Sequence, residues 1–205
     1  MTDVITNAAG RPLSKRGLDT RRRLLDAAEA VFGELGYPEA SIVKITEAAG
    51  VAQGTFYLYF DSKQAVFDEL VRDLNRRVRH AMKEGSSRGG TRVEAELLGF
   101  EAYFRFTAEH PALYRIIRQA EFVSPAMLHY HYERLSQGYV EALREASAAG
   151  EIGSDLDPEV TAWALMGLGE LVGMRWILWN EKRALPPEVM AELERIIRCV
   201  LEAPR

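Results

Sequence analysis

The sequence is poor in several features that mark common classes of protein. Its 205 residues include one cysteine, Cys199, which excludes an internal disulfide framework and a cysteine-rich zinc site. The N-terminus lacks the basic segment and apolar run of a secretory signal. The most apolar stretch, 160–179, contains Glu170 and Arg175; because charges in the middle of a bilayer are costly, we interpret it as a buried helix. We therefore expect a reduced, cytoplasmic protein without a membrane span.

The chain as a whole also lacks a large excess of positive or negative charge, although its two parts differ in sign. The formal net charge is −4, yet residues 1–92 sum to +3 and residues 93–205 sum to −7. A basic first part remains compatible with a nucleic-acid partner. Six positive charges share one stretch with a single acid, Asp19: Arg11, Lys15, Arg16, Arg21, Arg22 and Arg23. This stretch is either a solvated terminus or a contact to phosphate or the minor groove.

Strand-like alternation is scarce, whereas apolar residues recur at helical spacing along most of the chain. A first helix is predicted from about Thr20 to Leu35, with two short helices at about 42–49 and 53–60. A longer helix begins at Asp61 or Ser62 and ends before a glycine- and serine-rich loop at 84–91. Further helices are predicted at about 92–109, 112–121, 125–148, 158–181 and 187–202. The fold class is therefore all-α, with about nine helices.

The segment from Ser41 to Lys63 has the form of a helix-turn-helix, with the motif at about 41–60. Ser41 is a suitable N-cap, and Gly50 allows the positive φ that a tight turn requires. The second short helix projects side chains that can bond base edges and phosphates: Gln53, Thr55, Tyr57 and Tyr59. Gly54 allows a close approach of the backbone. The pattern predicts DNA binding through the second helix.

Several segments carry a more specific pattern: RLLDAAEAVF at 23–32, Gly36-Tyr37, AAGV at 48–51, and GTFYLYF at 54–60 followed by Lys63. Over about residues 18–78 this pattern resembles the tetracycline-repressor (TetR) family of bacterial transcription regulators. Gly10, Pro12 and Gly17 predict a flexible basic arm at 1–17. The resemblance implies a three-helix DNA-binding domain at 18–63. A long helix would join it to an effector-binding and dimerisation domain at 64–205.

The resemblance assigns DNA-binding roles by position. Ser41 would touch phosphate, and Gln53, Gly54 and Thr55 would meet bases or adjoining phosphates. Lys44 is placed on the DNA side by the distribution of charge, independently of the resemblance. Backbone phosphates would be bound by Tyr57, Tyr59 and Lys63. The sequence departs from the family pattern at two positions, because Thr46 replaces a small apolar residue and Val43 replaces a polar one that contacts bases in some members. We therefore expect base reading to depend on the second helix.

The resemblance also implies a homodimer on a near-palindromic operator, and a repressor released by a small molecule. The apolar helices 158–181 and 187–202 would form the interface, with Trp163, Gly167, Gly169, Gly173, Trp176, Leu193, Ile196, Ile197 and Val200. The aromatic segment 93–135 could line an apolar cavity, although aromatic residues at helical spacing are more often core. Candidate effector contacts are Phe67, Leu70, Phe100, Tyr103, Phe104, Arg105, Tyr114, Arg118, Glu121, His129 and Trp163. An apolar or amphipathic effector is expected.

Other interpretations fit less well. His129 and Glu133 share a helix face, but two ligands do not make a metal site, so neither metal nor cofactor is predicted. The glycines from Gly167 to Gly173 miss the dinucleotide-binding spacing by one residue and follow no strand. No nucleophile constellation can be assembled, and we expect no enzyme. The remaining alternative is a helical small-molecule-binding or interaction protein that binds no DNA.

Overall fold

The computed structural model describes residues 6, 8, 10–180 and 184–202. These residues form nine α-helices and no strand, apart from a single antiparallel bridge between Thr6 and Pro12. The helices are α1 (Lys15–Glu39), α2 (Ile42–Ala49), α3 (Gln53–Phe56), α4 (Lys63–Ser86), α5 (Arg92–Glu109), α6 (Ala112–Val123), α7 (Pro125–Ala148), α8 (Pro158–Gly173) and α9 (Pro187–Leu201). The predicted all-α class is confirmed.

Several helix limits differ from the predicted ones, among them the end of α1 at Glu39 and the end of α4 at Ser86. α1 begins at Lys15, five residues early, because Ser14 Oγ accepts a hydrogen bond from the Gly17 N–H and caps the helix. α3 ends at Phe56, and residues 57–59 form a turn instead of a further helical turn. The helix at 158–181 is α-helical only to Gly173 and continues as a π-helical segment at Met174–Leu178.

The described residues divide into two compact units. One consists of Met1–Leu74 with Ala112–His129, and the other of Asn75–Pro111 with Tyr130–Arg205. α4 is continuous, with Lys63–Leu74 in the first unit and Asn75–Ser86 in the second. The boundary at residue 63 between a DNA-binding domain and an effector-binding and dimerisation domain stays a prediction. In the described part of the chain, no helix is long and apolar enough to cross a membrane.

The first unit is built around α1, which packs against both α2 and α6. Its core contains an aromatic cluster in which the Phe32 ring lies 5.3 Å from the Phe67 ring and stacks on Tyr37 at 5.6 Å. α6 approaches α1 closely, because a Cβ added at Gly33 would lie 2.6 Å from the Cβ of Ala112. α1 therefore packs against both α6 and the first helix of the helix-turn-helix.

The second unit has its own core, formed by the apolar faces of α5, α7, α8 and α9. Its fully or nearly fully buried side chains include Phe100, Phe104, Leu143, Leu165, Ile177, Leu193 and Ile197. Gly169 belongs to the same core, since a Cβ there would lie 3.0 Å from the Phe100 ring. Each unit therefore has a separate hydrophobic core.

Candidate nucleic-acid interface

The helix-turn-helix is held in place by a cap and a turn that the sequence predicts. Ser41 Oγ accepts a hydrogen bond from the Lys44 N–H at 3.2 Å and begins α2. Gly50 ends α2 in the left-handed region with φ 63°, where a side chain would be strained. Arg23 of α1 donates to the carbonyls of Ala49 and Gly50, and so ties the turn to α1.

The segment 53–60, which consists of α3 and the turn that follows it, divides its residues between the core and the surface. Phe56 and Phe60 are buried and anchor the segment. Gln53 and Gly54 are exposed, and Tyr57 has 48% of its surface exposed. Thr55 and Tyr59 are half-buried. The predicted DNA-reading residues therefore lie together on one short element, with Gln53, Gly54 and Tyr57 accessible.

The two predicted lysines have protein partners. The Lys63 Nζ donates to the carbonyls of Tyr37 at 2.8 Å and Ala40 at 2.9 Å, and lies 4.3 Å from the centre of the Tyr37 ring. The Lys44 Nζ donates to the Glu39 carbonyl at 2.9 Å. Both amines therefore satisfy carbonyls at the end of α1, a role that sequence spacing did not reveal.

The two departures from the family pattern have clear positions. Thr46 is buried, and its Oγ1 donates to the Val43 carbonyl at 2.9 Å. Its polar atom is thereby satisfied inside the core, so the helix tolerates it. Val43 is exposed on α2 and offers no hydrogen bond. Base reading through α3 stays a prediction that agrees with this arrangement.

The candidate effector contacts fall into both compact units. In the first unit, Phe67 and Leu70 are fully buried in the core, and Phe67 packs against Phe32 and Tyr37. Tyr114 is also buried there. In the second unit, Phe100 and Phe104 are core residues, Tyr103 packs against that core, and Trp163 is partly exposed. The aromatic candidates therefore serve largely as core, the more common role for aromatic residues at helical spacing.

The polar candidates lie at the surface, and their role as effector contacts stays a prediction. Arg105, Arg118, Glu121 and His129 are all exposed within their own units, so they do not line the interior of either unit. His129 and Glu133 are exposed too, and the described residues contain no group of three potential metal ligands among His, Cys, Asp and Glu.

Sequence reasoning missed the polar groups that are buried in the second unit. Asn75 is fully buried, and its Nδ2 donates to the His131 carbonyl at 3.0 Å and lies 3.2 Å from the His131 Nδ1. The Asn75 Oδ1 has no hydrogen-bond partner within the described chain. Burial lowers the pKa of His131 to about 4. A polar residue between Leu74 and Val78 on the apolar face of α4 was the signal that could have identified Asn75.

The predicted dimer residues separate into interior and surface groups. Gly169, Gly173, Leu193 and Ile197 are buried within the protomer, and their assignment to the interface stays a prediction. Trp176 and Ile196 are half-buried. An apolar stripe remains exposed along one face of α8, consisting of Val160, Trp163, Ala164, Gly167 and Leu171, where Gly167 is half-buried. Val200 is exposed on α9.

A capped first helix, a glycine turn and an exposed second helix define the chain as a helix-turn-helix DNA-binding protein. The family model for bacterial regulatory proteins of the tetR family matches residues 24–70. The uncharacterized HTH-type transcriptional regulator YdgC of Bacillus subtilis (strain 168) is 31% identical over 189 residues, which span 90% of this chain and 94% of that protein. The chain therefore belongs to the tetR family of bacterial regulatory proteins.

Two further comparisons extend over both units. The fatty acid metabolism regulator protein of the same Bacillus strain is 27% identical over 180 residues, 85% of this chain and 92% of that protein. The structure of the Bacillus subtilis regulator FadR in complex with stearoyl-CoA matches with a TM-score of 0.72 at 23% identity, covering 86% of this chain and 94% of that one. The predicted function of a DNA-binding transcriptional regulator is confirmed, and the alternative without DNA binding is set aside.

Proposed function

We propose that this regulator is a repressor that binds a near-palindromic operator as a homodimer and is released by an amphipathic small molecule. The observation that carries the proposal is the exposure of Gln53, Gly54 and Tyr57 on an element whose backbone is held by buried Phe56 and Phe60. A rigid, exposed recognition helix can enter the major groove without first having to become ordered. We expect the regulator to bind its operator in the cytoplasm.

The DNA contacts follow from the side-chain chemistry. Gln53 can accept a hydrogen bond from the adenine N6 amino group through its Oε1 and donate one to N7 through its Nε2, and Gly54 allows the helix to approach the base edges. The hydroxyls of Tyr57 and Tyr59 would donate hydrogen bonds to phosphate oxygens, and Ser41 would contact a phosphate at the start of α2. One short helix makes few base contacts, so two half-sites about one helical turn apart would supply useful specificity.

The effector class that we propose is a long-chain acyl-CoA. Two features support it: the similarity to a fatty acid metabolism regulator over 85% of this chain, and the fold shared with FadR in its stearoyl-CoA complex. The second unit also has an aromatic interior with a buried polar pair, Asn75 and His131. An unpaired acceptor such as the Asn75 Oδ1 favours a ligand that brings a hydrogen-bond donor.

The proposed coupling runs along α4. A ligand that displaces residues 75–86 would also displace residues 63–74, because they form one continuous helix. Lys63 at the start of that helix is bonded to the end of α1. The motion would alter the separation of the two recognition helices, and an operator fixes that separation.

The test is fluorescence anisotropy with labelled DNA from the region upstream of the protein's own gene. We expect binding that weakens steeply with salt, and a loss of affinity of at least tenfold when stearoyl-CoA is added. Free coenzyme A is the control and should have no effect. If no upstream fragment is bound in preference to random DNA, the operator proposal is wrong; if stearoyl-CoA leaves affinity unchanged, the effector proposal is wrong.

A further inference from the structure

Two side chains of α4 connect this helix to the backbone of α7 within the second unit. The Asn75 Nδ2 donates to the His131 carbonyl at 3.0 Å. The Arg79 Nη1 donates to the Arg134 carbonyl at 3.4 Å. Asn75 and Arg79 lie four residues apart on α4, so their side chains share one face of the helix. One face of α4 therefore meets α7 through two polar residues that are one helical turn apart.

Each of these two side chains keeps a buried polar atom that has no partner among the described residues. The Asn75 Oδ1 is an acceptor without a donor, and the Arg79 Nε–H is a donor without an acceptor. A buried polar atom without a hydrogen bond costs free energy, and most such atoms in folded proteins are paired. The two atoms have opposite polarity but do not bond to each other. Both would be satisfied by a group that donates to one and accepts from the other.

The orientation of the Asn75 amide follows from its two contacts with His131. The Asn75 Nδ2 lies 3.0 Å from the His131 carbonyl oxygen and 3.2 Å from the His131 Nδ1, so both of its hydrogens have acceptors. Reversing the amide would place the Oδ1 against that carbonyl, and two acceptors would face each other. Burial lowers the pKa of His131 to about 4, so the ring is neutral near physiological pH and its Nδ1 can accept. The unpaired atom of Asn75 is therefore the oxygen.

A secondary amide has the matching chemistry, because its N–H donates and its C=O accepts. A carboxylate could accept from Arg79 but could not donate to Asn75, and an ammonium group could donate but could not accept. The pantetheine arm of coenzyme A contains two secondary amides. An acyl-CoA therefore carries the required group close to its acyl chain, whereas an ionised fatty acid lacks it.

We propose that Asn75 and Arg79 recognise an amide of the effector, whose N–H donates to the Asn75 Oδ1 and whose C=O accepts from the Arg79 Nε–H. This inference rests on the proposed acyl-CoA effector, and it names the contact that selects an acyl-CoA over the free fatty acid. The contact attaches the ligand directly to α4, the helix on which the proposed coupling depends. Both buried atoms gain a partner only when the ligand is bound.

The test uses two acyl thioesters that differ in one group. S-stearoyl-N-acetylcysteamine carries one amide beyond its thioester, and in S-stearoyl-2-mercaptoethyl acetate an ester oxygen replaces the amide N–H. Quenching of tryptophan fluorescence measures the binding of each ligand below its critical micelle concentration. The wild-type chain should bind the amide at least about tenfold more tightly, because the ester leaves the Asn75 Oδ1 without a donor.

Three variants connect this preference to the two residues. Asn75→Leu replaces the side-chain amide with an apolar group of the same branched shape, and it should bind both thioesters equally. Arg79→Met removes the Nε–H and should weaken the binding of both thioesters, because each has a carbonyl in the corresponding position. Lys83→Gln removes an exposed cation from the same helix and should behave as the wild type. Thermal melting shows whether each variant folds, and the comparison of the two ligands on the wild-type chain needs no variant.

The outcomes distinguish this inference from the proposed function. If stearoyl-CoA releases the wild-type chain from DNA, but the chain binds the amide and the ester equally or binds neither, the inference is overturned and the effector proposal stands. A folded Asn75→Leu chain that keeps the full preference for the amide would place the amide contact at other residues, which also overturns it. If neither thioester binds and stearoyl-CoA leaves DNA affinity unchanged, both the inference and the effector proposal fail.

Discussion

Gln53 and Tyr57 lie four residues apart and are both exposed, yet we expect them to act differently. Gln53→Ala should remove discrimination at one base pair of each half-site, about 1–3 kcal/mol. Tyr57→Phe removes only a hydroxyl that would contact phosphate, so it should weaken binding equally on all sequences. The measurement is the affinity of each variant for a set of single-base operator changes. Equal losses on every operator for Gln53→Ala would contradict base reading by this residue.

Two buried ionisable residues of the second unit should give opposite pH dependences of stability. Glu96 on α5 is 3% exposed, and burial raises its pKa from 4.5 to about 7, against the opposing charge of Arg92 at 3.0 Å. The fold favours the protonated acid, so this stability is present below pH 4.5 and is lost towards pH 7. Burial lowers the pKa of His131 from 6.5 to about 4. Its stability is present above pH 6.5 and is lost towards pH 4.

Because each shift corresponds to about 3 kcal/mol, these two contributions nearly cancel in the wild-type chain between pH 4.5 and 6.5. In the Glu96→Gln variant, the free energy of unfolding should rise with pH, because only the contribution of His131 remains. In the His131→Gln variant, the free energy of unfolding should fall with pH. Urea unfolding at several pH values would measure both slopes. Glu101→Gln, an exposed acid of α5, is the control and should behave like the wild type. Parallel curves for Glu96→Gln and the wild type would contradict the assignment.

The residue-level predictions succeeded where a residue acts through its own helix. Ser41 and Gly50 were identified from capping and turn chemistry alone, because those effects depend on neighbours within a few residues. Lys63 and Arg23 were harder to interpret. Their acceptors lie 23 to 27 positions away in the chain, and a contact that distant depends on packing that the sequence of one helix does not specify.

At the scale of helices, the apolar periodicity predicted α5 and α7 with their observed limits. It could not predict the change to π-helix after Gly173, because that change is a shift of backbone bonding to acceptors five residues back, as in the bond from the Trp179 N–H to the Met174 carbonyl. It also did not reveal that Gly36 has φ 76° inside α1, since the first helix was predicted to end at about Leu35. The chain bends there and continues through Pro38 to Glu39.

The packing of α1 on α6 depends on the absence of a side chain at Gly33. Gly33→Ala would place two Cβ atoms 2.6 Å apart, at Gly33 and Ala112, and should destabilise the chain by about 1–3 kcal/mol. Gly138→Ala is the matched control on α7, where nothing lies within 4 Å of the added Cβ. The control should gain up to about 1 kcal/mol from helix propensity. Denaturant unfolding measures both, and equal stabilities would contradict close packing at Gly33.

At the scale of the whole molecule, the net charge of −4 conceals an uneven distribution. The first 63 residues are neutral in sum, and their basic residues from Arg21 onwards are bonded to acceptors within the protein. Counting charges could not reveal this arrangement, because the partners of Arg22 and Lys63 are set by tertiary packing. The exposed apolar side chains of the second unit are also unevenly distributed, because several of them lie along one face of α8.

The exposed stripe on α8 is the surface that we expect to form the dimer. Leu171 is 62% exposed, and Gly167 has nothing within 4 Å of an added Cβ, so a partner helix could approach closely. Leu171→Glu would bury a carboxylate in that interface and should raise the dimer dissociation constant at least a hundredfold, equivalent to about 3 kcal/mol. Sedimentation equilibrium measures the change directly.

The control for this prediction is Phe122→Glu, which places the same charge on an exposed apolar residue of α6 in the first unit. It should leave the dimer intact. The Leu171→Glu variant should bind a full operator more weakly than the wild type does. Two separate monomers lack the high effective concentration with which the second subunit of a dimer meets its half-site. On an isolated half-site the variant should bind as the wild type does. A Leu171→Glu chain that remains dimeric would place the interface elsewhere on the molecule. An equal loss of affinity for the half-site and for the full operator would indicate that the substitution had disturbed the helix-turn-helix itself.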